Sequence, residues 1–164
     1  MSLSLKEVLK RKHDEFAEQD EKNKDIIGEW LIAVAALFDQ LEAWLKVADP
    51  EGIIKADRGT CEVNEPGLGR YKVADLSLRA FGSWVGVIPK ARLTVKTAKP
   101  KQSAAPERAT GRVDITDEIR RYVLYRFTDE NGDDAWFMDD VASNDDLKPL
   151  TAERFESVLL SYFR

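Results

Sequence analysis

Apolar residues recur in steps of three and four through the first third of the chain, alternate in steps of two through the middle, and return to the helical step at the end. In the first region Ile27, Trp30, Val34, Leu37, Leu41, Trp44 and Ala48 form one stripe, which Leu31, Phe38 and Leu45 widen. A stripe this wide suits burial against a sheet better than the narrow seam of a two-stranded coiled coil. It predicts a core helix over 26–48. Asp49-Pro50-Glu51-Gly52 ends it, because proline disfavours helix at Asp49 and glycine permits a turn. Upstream, Ser4 and Glu7 have the spacing of a capping box, with Leu3 and Val8 placed as its hydrophobic staple. Ala17 to Asp25 is almost wholly polar. The amphipathic part in front of it, with Leu5, Val8, Leu9 and Phe16, is therefore expected to be a separate short helix or a long exposed extension over 1–25, and Gly28 marks a candidate bend.

From 53 to 140 the two-residue alternation and its turn residues predict an antiparallel meander. Strands are expected at Cys61 to Glu65, Arg70 to Leu78, Trp84 to Ile88, Arg92 to Thr97, Arg112 to Ile115, Arg121 to Thr128 and Ala135 to Met138. Tyr71 and Val73 stand at odd positions and Leu76 and Leu78 at even ones, so the inward face switches near Ala74-Asp75, as a bulge would cause. Asn131-Gly132 suits a two-residue type I′ hairpin, which pairs Phe127 with Trp136 and Tyr125 with Met138 on one apolar face. Pro100 to Ala109 lacks periodicity and reads as a long loop. Leu150 and Thr151 then stand as staple and N-cap of a helix over 151–164, whose apolar positions are Phe155, Val158, Leu159, Tyr162 and Phe163. The whole is a single α+β domain over 1–164: an antiparallel meander sheet packed by a long N-terminal helical region and a C-terminal helix.

Composition narrows the class without naming a function. The chain has 164 residues, 43% apolar, with a net charge of −5, so no global field calls for nucleic acid. One cysteine cannot close an internal disulfide and no secretory leader pattern is visible, which points to a reducing, cytoplasmic compartment. The longest apolar run, Trp30 to Phe38, is nine residues, far short of a membrane span.

Candidate chemistry is sparse. The single histidine, His13, lies in the charged segment Lys10-Arg11-Lys12-His13-Asp14-Glu15, and the single cysteine, Cys61, lies in a strand. Together they fall short of a four-ligand zinc site and offer no evident nucleophile and base. Pro66-Gly67-Leu68-Gly69 lacks the Lys-Ser/Thr of a phosphate loop and runs into a strand, so no cofactor is implied. Arg112 and Asp114 share one side of a strand around Val113, either to bind a ligand or to flank a buried residue. Between Phe127 and Lys148 stand eight carboxylates, Asp129, Glu130, Asp133, Asp134, Asp139, Asp140, Asp145 and Asp146, with no lysine or arginine. The expected hairpin sets Glu130 against Asp133 and Asp129 against Asp134, a repulsion that either solvent or a hard cation relieves. Calcium on Asp129, Asp133 and Asp134 is the candidate, although the spacing is not that of an EF-hand.

The opposite charge gathers over 89–112. Lys90, Arg92, Lys96, Lys99, Lys101, Arg108 and Arg112 against Glu107 give +6. Such an arm follows phosphates, but interleaved aromatics for base stacking are missing. The order Asp49-Pro50, Gly69-Arg70-Tyr71-Lys72-Val73, Gly111-Arg112-Val113-Asp114, Leu150-Thr151 and Phe155 resembles small bacterial proteins of no assigned activity. That resemblance implies a bacterial cytosolic origin and no catalytic residue. The function expected from these features is a non-catalytic protein-interaction or regulatory module, with Leu5, Val8, Leu9 and Phe16 as a self-association interface. The alternatives are nucleic-acid association through the basic 89–112 loop, and an enzyme with a carboxylate-based or oligomer-assembled site.

Overall fold

A computed structural model describes residues 2–94, 109–129, 131–141 and 147–164. The chain is an α+β fold: α1 (Leu5–Ala48), seven strands and α2 (Ala152–Phe163). The strands are β1 (Lys55–Glu65), β2 (Gly69–Ala80), β3 (Ser83–Ala91), β4 (Arg112–Thr116), β5 (Arg121–Thr128), β6 (Asp134–Asp140) and β7 (Lys148–Pro149). They form one antiparallel sheet in sequence order, a meander. Of the expected strands, Arg121 to Thr128 matches β5 to the residue. The two-residue β7 carries no alternation and was not expected.

Both helices pack on one face. Trp30, Val34, Leu37, Phe38, Leu41 and Leu45 of α1 and Phe155, Val158 and Leu159 of α2 join inward residues of β2 to β5 in one core. Two edges of the expected stripe differ, since Ala48 and Leu31 are exposed. Both caps form as the sequence predicts. Ser4 Oγ accepts from the Glu7 amide at 3.3 Å while Glu7 Oε2 accepts from the Ser4 amide at 2.9 Å, and Thr151 Oγ1 accepts from the Arg154 amide at 3.1 Å. The other face of the sheet carries a smaller cluster of Ala109, Val123, Tyr125, Phe127, Phe137 and Leu147.

Of the two arrangements expected for the N-terminal region, the structure has the extension: α1 runs unbroken through Ala17–Asp25 and through Gly28. Glutamate, glutamine, lysine and alanine are good helix formers. Contacts four residues apart also support the polar stretch: Glu18–Lys22 at 3.9 Å, Asp20–Lys24 at 3.3 Å and Gln19–Asn23 at 2.9 Å.

Three strand details correct the sequence reading. The expected strand Arg92 to Thr97 is absent over Arg92–Thr94, and the remainder lies outside the described residues. The Arg92 and Leu93 amides, which a strand would give to a neighbour, instead donate to the buried carboxylate of Glu65, at 3.1 and 2.5 Å. The switch of inward face in β2 is real, from Tyr71 and Val73 to Leu76 and Leu78, but the β1–β2 pairing runs through it without a register break. It falls where β2 parts from β3, whose pairing begins at Leu76. Beyond that point β1 and β2 are a two-stranded ribbon, which twists more strongly than a sheet.

The third correction concerns the β5–β6 hairpin. Gly132 has a positive φ, at 80°. The Gly132 amide donates to the Asp129 carbonyl at 3.0 Å and the Asp129 amide to the Asp133 carbonyl at 2.9 Å. The turn is thus one residue longer than type I′, and the register moves by one: Phe127 pairs with Ala135, Tyr125 with Phe137 and Arg126 with Trp136. Phe127 and Tyr125 face the small cluster, whereas Leu124, Trp136 and Met138 face the helices. β5 is buried on both sides, and Arg126 therefore points at α1.

Gly111, just before β4, lies under the indole of Trp30, where an added Cβ would stand 2.3 Å from the ring. Gly111→Ala is expected to destabilise the fold by about 1–3 kcal/mol, read as a lower urea midpoint with unchanged slope.

Candidate functional site

A charged cluster lies where α1 crosses β5. The side chain of Arg126 is only 6% exposed, inside the otherwise apolar run from Tyr122 to Phe127. It donates to Glu29 of α1 and to Asp134 Oδ1 at 2.7 Å. Its guanidinium lies 6.0 Å from the centroid of the Trp30 ring. Glu29 also accepts from Arg92 Nε at 3.4 Å. Partial burial opposes ionisation of Glu29, but the hydrogen bond and charge of Arg126, joined by Arg92, hold its carboxyl below the usual range. On the other side of Trp30, the Tyr71 hydroxyl donates to Glu65 Oε2 at 2.7 Å. Burial and the Glu65 carboxylate raise the phenol far above its usual pKa.

On the opposite face of the sheet, Asp114 is buried and accepts from Arg112 at 2.8 and 3.1 Å, with Arg121 at 3.6 Å. Val113 between them is fully buried. Of the two readings of the Arg112/Asp114 pair, the contacts match flanking residues bound to each other.

Two of the three carboxylates expected to form a cation site have other partners. Asp129 Oδ1 accepts from the Asn131 and Asp133 amides, both at 2.9 Å, and Asp134 holds Arg126. In the observed register Asp134 pairs with Thr128, not with Asp129. Among the described residues no group of three histidine, cysteine or acidic side chains is arranged to hold a metal ion, so the expected calcium site on Asp129, Asp133 and Asp134 does not assemble among them. Of the basic residues, Lys90 is exposed while Arg92 turns inward to Glu29. Lys96, Lys99 and Lys101 lie outside the described residues, as does most of the expected loop from Pro100 to Ala109.

Little here resembles a catalytic centre. His13 sits on the exposed part of α1, 3.5 Å from Asp14, and Cys61 is half-buried in β1. Burial, with the charge of Asp75, pushes the Cys61 thiol up, away from the reactive thiolate. The shallow cavities that border the helices include two of about 250 and 450 Å³. Neither is lined by histidine or cysteine. Asp117, the other carboxylate with displaced titration, is lowered by the Arg120 and Ile119 amides that close its own turn.

No family model matches the chain, and no curated protein or solved structure matches it.

The residues named for self-association all stand on the part of α1 that leaves the core. Leu5 is 73%, Leu9 56% and Phe16 75% exposed; Val8 is half-buried, and every residue from Leu9 to Lys22 is exposed. Among the described residues the first hydrogen bond back to the sheet's turns is from Asn23, whose Nδ2 donates to the Gly67 carbonyl at 3.1 Å. Sequence reasoning singles out these four and passes over Arg126 and Glu29. The available signal was the single charge inside Tyr122-Val123-Leu124-Tyr125-Arg126-Phe127, a run that reads as buried on both faces.

Arg126→Met, which keeps the packing stem and removes the charge, is expected to cost about 1 kcal/mol, because it removes charge-assisted hydrogen bonds to two carboxylates that water can partly solvate in its place. The Glu29 pairing has a definite pH dependence. With its folded pKa lowered, its stabilisation is complete above the ordinary value of 4.5 and lost as pH falls through the lower folded value. Urea titrations across that interval should show a steeper acid loss for the parent than for Glu29→Gln.

Proposed function

We propose that the protein is a non-catalytic interaction module whose working surface is the apolar stripe on the projecting half of α1. The observation that supports this is angular. At about 100° per residue, Leu5, Val8, Leu9 and Phe16 all fall within about 60° of the direction of Trp30. The same line runs through Val34, Leu37 and Leu41, which are buried in the core. Beyond the polar stretch Ala17–Asp25, which sets Gln19 and Asn23 on this line, the four residues take up the direction of the core stripe again, with Lys12 among them.

Isolated exposed apolar residues are ordinary, but a line of them collinear with a buried stripe is the pattern of a helix that docks on something. The charged cluster under Trp30 supports the same reading, since it anchors the base of the projecting half to β5 and β6 through Glu29. A rigid base makes the exposed half a preorganised surface, which lowers the ordering cost of binding.

The test is the full chain carrying Leu9→Glu and Phe16→Glu, two exposed substitutions expected to change folding stability by no more than about 0.5 kcal/mol each. The expected result is an unchanged core by near-ultraviolet circular dichroism, with association weakened at least about tenfold. Association that survives in full, whether with itself or with another protein, would remove this surface from the function.

A further inference from the structure

The charges beside the stripe identify its occupant. From Lys6 to Lys12 the helix carries Lys6, Lys10, Arg11 and Lys12 against Glu7, a net +3; from Asp14 to Glu21 it carries Asp14, Glu15, Glu18, Asp20 and Glu21 with no base, a net −5. The projecting half is thus a rod, positive at its outer end and negative toward the core. The first turn carries the acid that the helix dipole favours, Glu7, but Lys10, Arg11 and Lys12 follow it in the second turn. Lys10 and Asp14, and Arg11 and Glu15, stand four apart, but in the weaker order with the base first. Neither pair closes: Lys10, Arg11 and Glu15 form no ion pair with another described residue. At about 100° per residue Arg11 and Glu15 lie beside the stripe, Lys12 lies on its line, and Lys10 and Asp14 face away from it, all of them exposed.

One arrangement satisfies stripe and charge together. Two such helices side by side in the same direction would set +3 on +3 and −5 on −5. Antiparallel, with a two-fold axis near Lys12 and His13, each basic stretch lies along the other's acidic stretch. Leu9 and Phe16 of each copy then straddle the axis and face the partner's stripe. A two-fold interface of this kind is self-complementary and closes at two copies. We propose that the occupant of the stripe is a second copy of this chain, bound antiparallel through residues 5–22 of α1, an inference that rests on the interaction reading above.

The experiment uses the full chain in sedimentation and disulfide trapping. The parent should sediment as a dimer at tens to hundreds of micromolar. Lys10→Glu, Arg11→Glu and Lys12→Glu together should weaken the dimer at least about tenfold. Adding Asp14→Lys, Glu15→Lys and Glu18→Lys in the same chain should restore it, because each reversed stretch again meets its opposite. In a Cys61→Ser background, Lys12→Cys near the axis should form a disulfide-linked dimer, and Leu5→Cys, held far from its own copy, should not. A parent that stays monomeric throughout, failure of the second reversal to restore the dimer, or equal cross-linking of the Leu5→Cys and Lys12→Cys chains would overturn the proposal. The broader reading fails separately. If the parent is monomeric but Leu9→Glu with Phe16→Glu abolishes binding to a different protein, only the second copy is refuted; if that variant changes no association, both are.

Discussion

The guanidinium of Arg126 is the point on which the arrangement of the main elements depends. A charge this deep is tolerated only where its hydrogen bonds are satisfied, and its acceptors come from different parts of the chain: Glu29 from the helix, Asp134 from the next strand, and the Thr110 carbonyl at 3.5 Å from the approach to β4. Satisfying it therefore sets how far along the helix β5 must sit. It also sets the register of the β5–β6 hairpin, because in the alternative register Asp134 would leave the helix face of the sheet. Trp30 closes the arrangement from above, against Trp136 at 6.2 Å and over Gly111. A substitution at any of these positions disturbs helix docking and strand pairing at once.

The same contacts account for the hairpin's dense negative charge. Among the described residues two of its carboxylates hold internal donors: Asp129 holds its own turn amides and Asp134 holds Arg126. Part of the repulsion is thus relieved by the fold itself. Arg92 and Arg112 are drawn in similarly, one to Glu29 and one to Asp114, so part of the opposite charge along 89–112 is spent on structure before any external phosphate is met.

What the sequence revealed and what it hid follow from the range of the physics involved. Helices, caps, most strands and the α+β architecture rest on local periodicity and on side chains within four residues of each other, as at Ser4–Glu7 and Thr151–Arg154. The misread features depend on partners distant in sequence. Whether Arg92 and Leu93 continue a strand is decided by Glu65. The hairpin register turns on one extra residue beside Gly132, and a single step moves every side chain to the opposite face. Arg126 stands out in sequence as the one charge in an apolar run, but its partner Glu29, adjacent to Trp30, reads as the polar flank of a helix, so nothing local joins the two. The projecting stripe was visible early because burial plays no part in recognising it; its alignment with Trp30 needed the knowledge that α1 does not break.

A meander of seven strands does not close on itself, so among the described residues it ends in two free borders, β1 and β7. β7 is two residues long and one of them is Pro149, which has no amide hydrogen to offer. β1 is eleven residues long, but Lys55, Asp57, Arg58 and Glu62 stud it with charge, and Arg58 reaches over to Asp39 and Glu42 of the helix at 2.7 and 2.8 Å. A stray strand finds no flat apolar rail on either side, the usual protection against edge-to-edge aggregation. Growth of the sheet from one molecule into the next is thereby discouraged, and contact between molecules is directed to side chains rather than to the backbone.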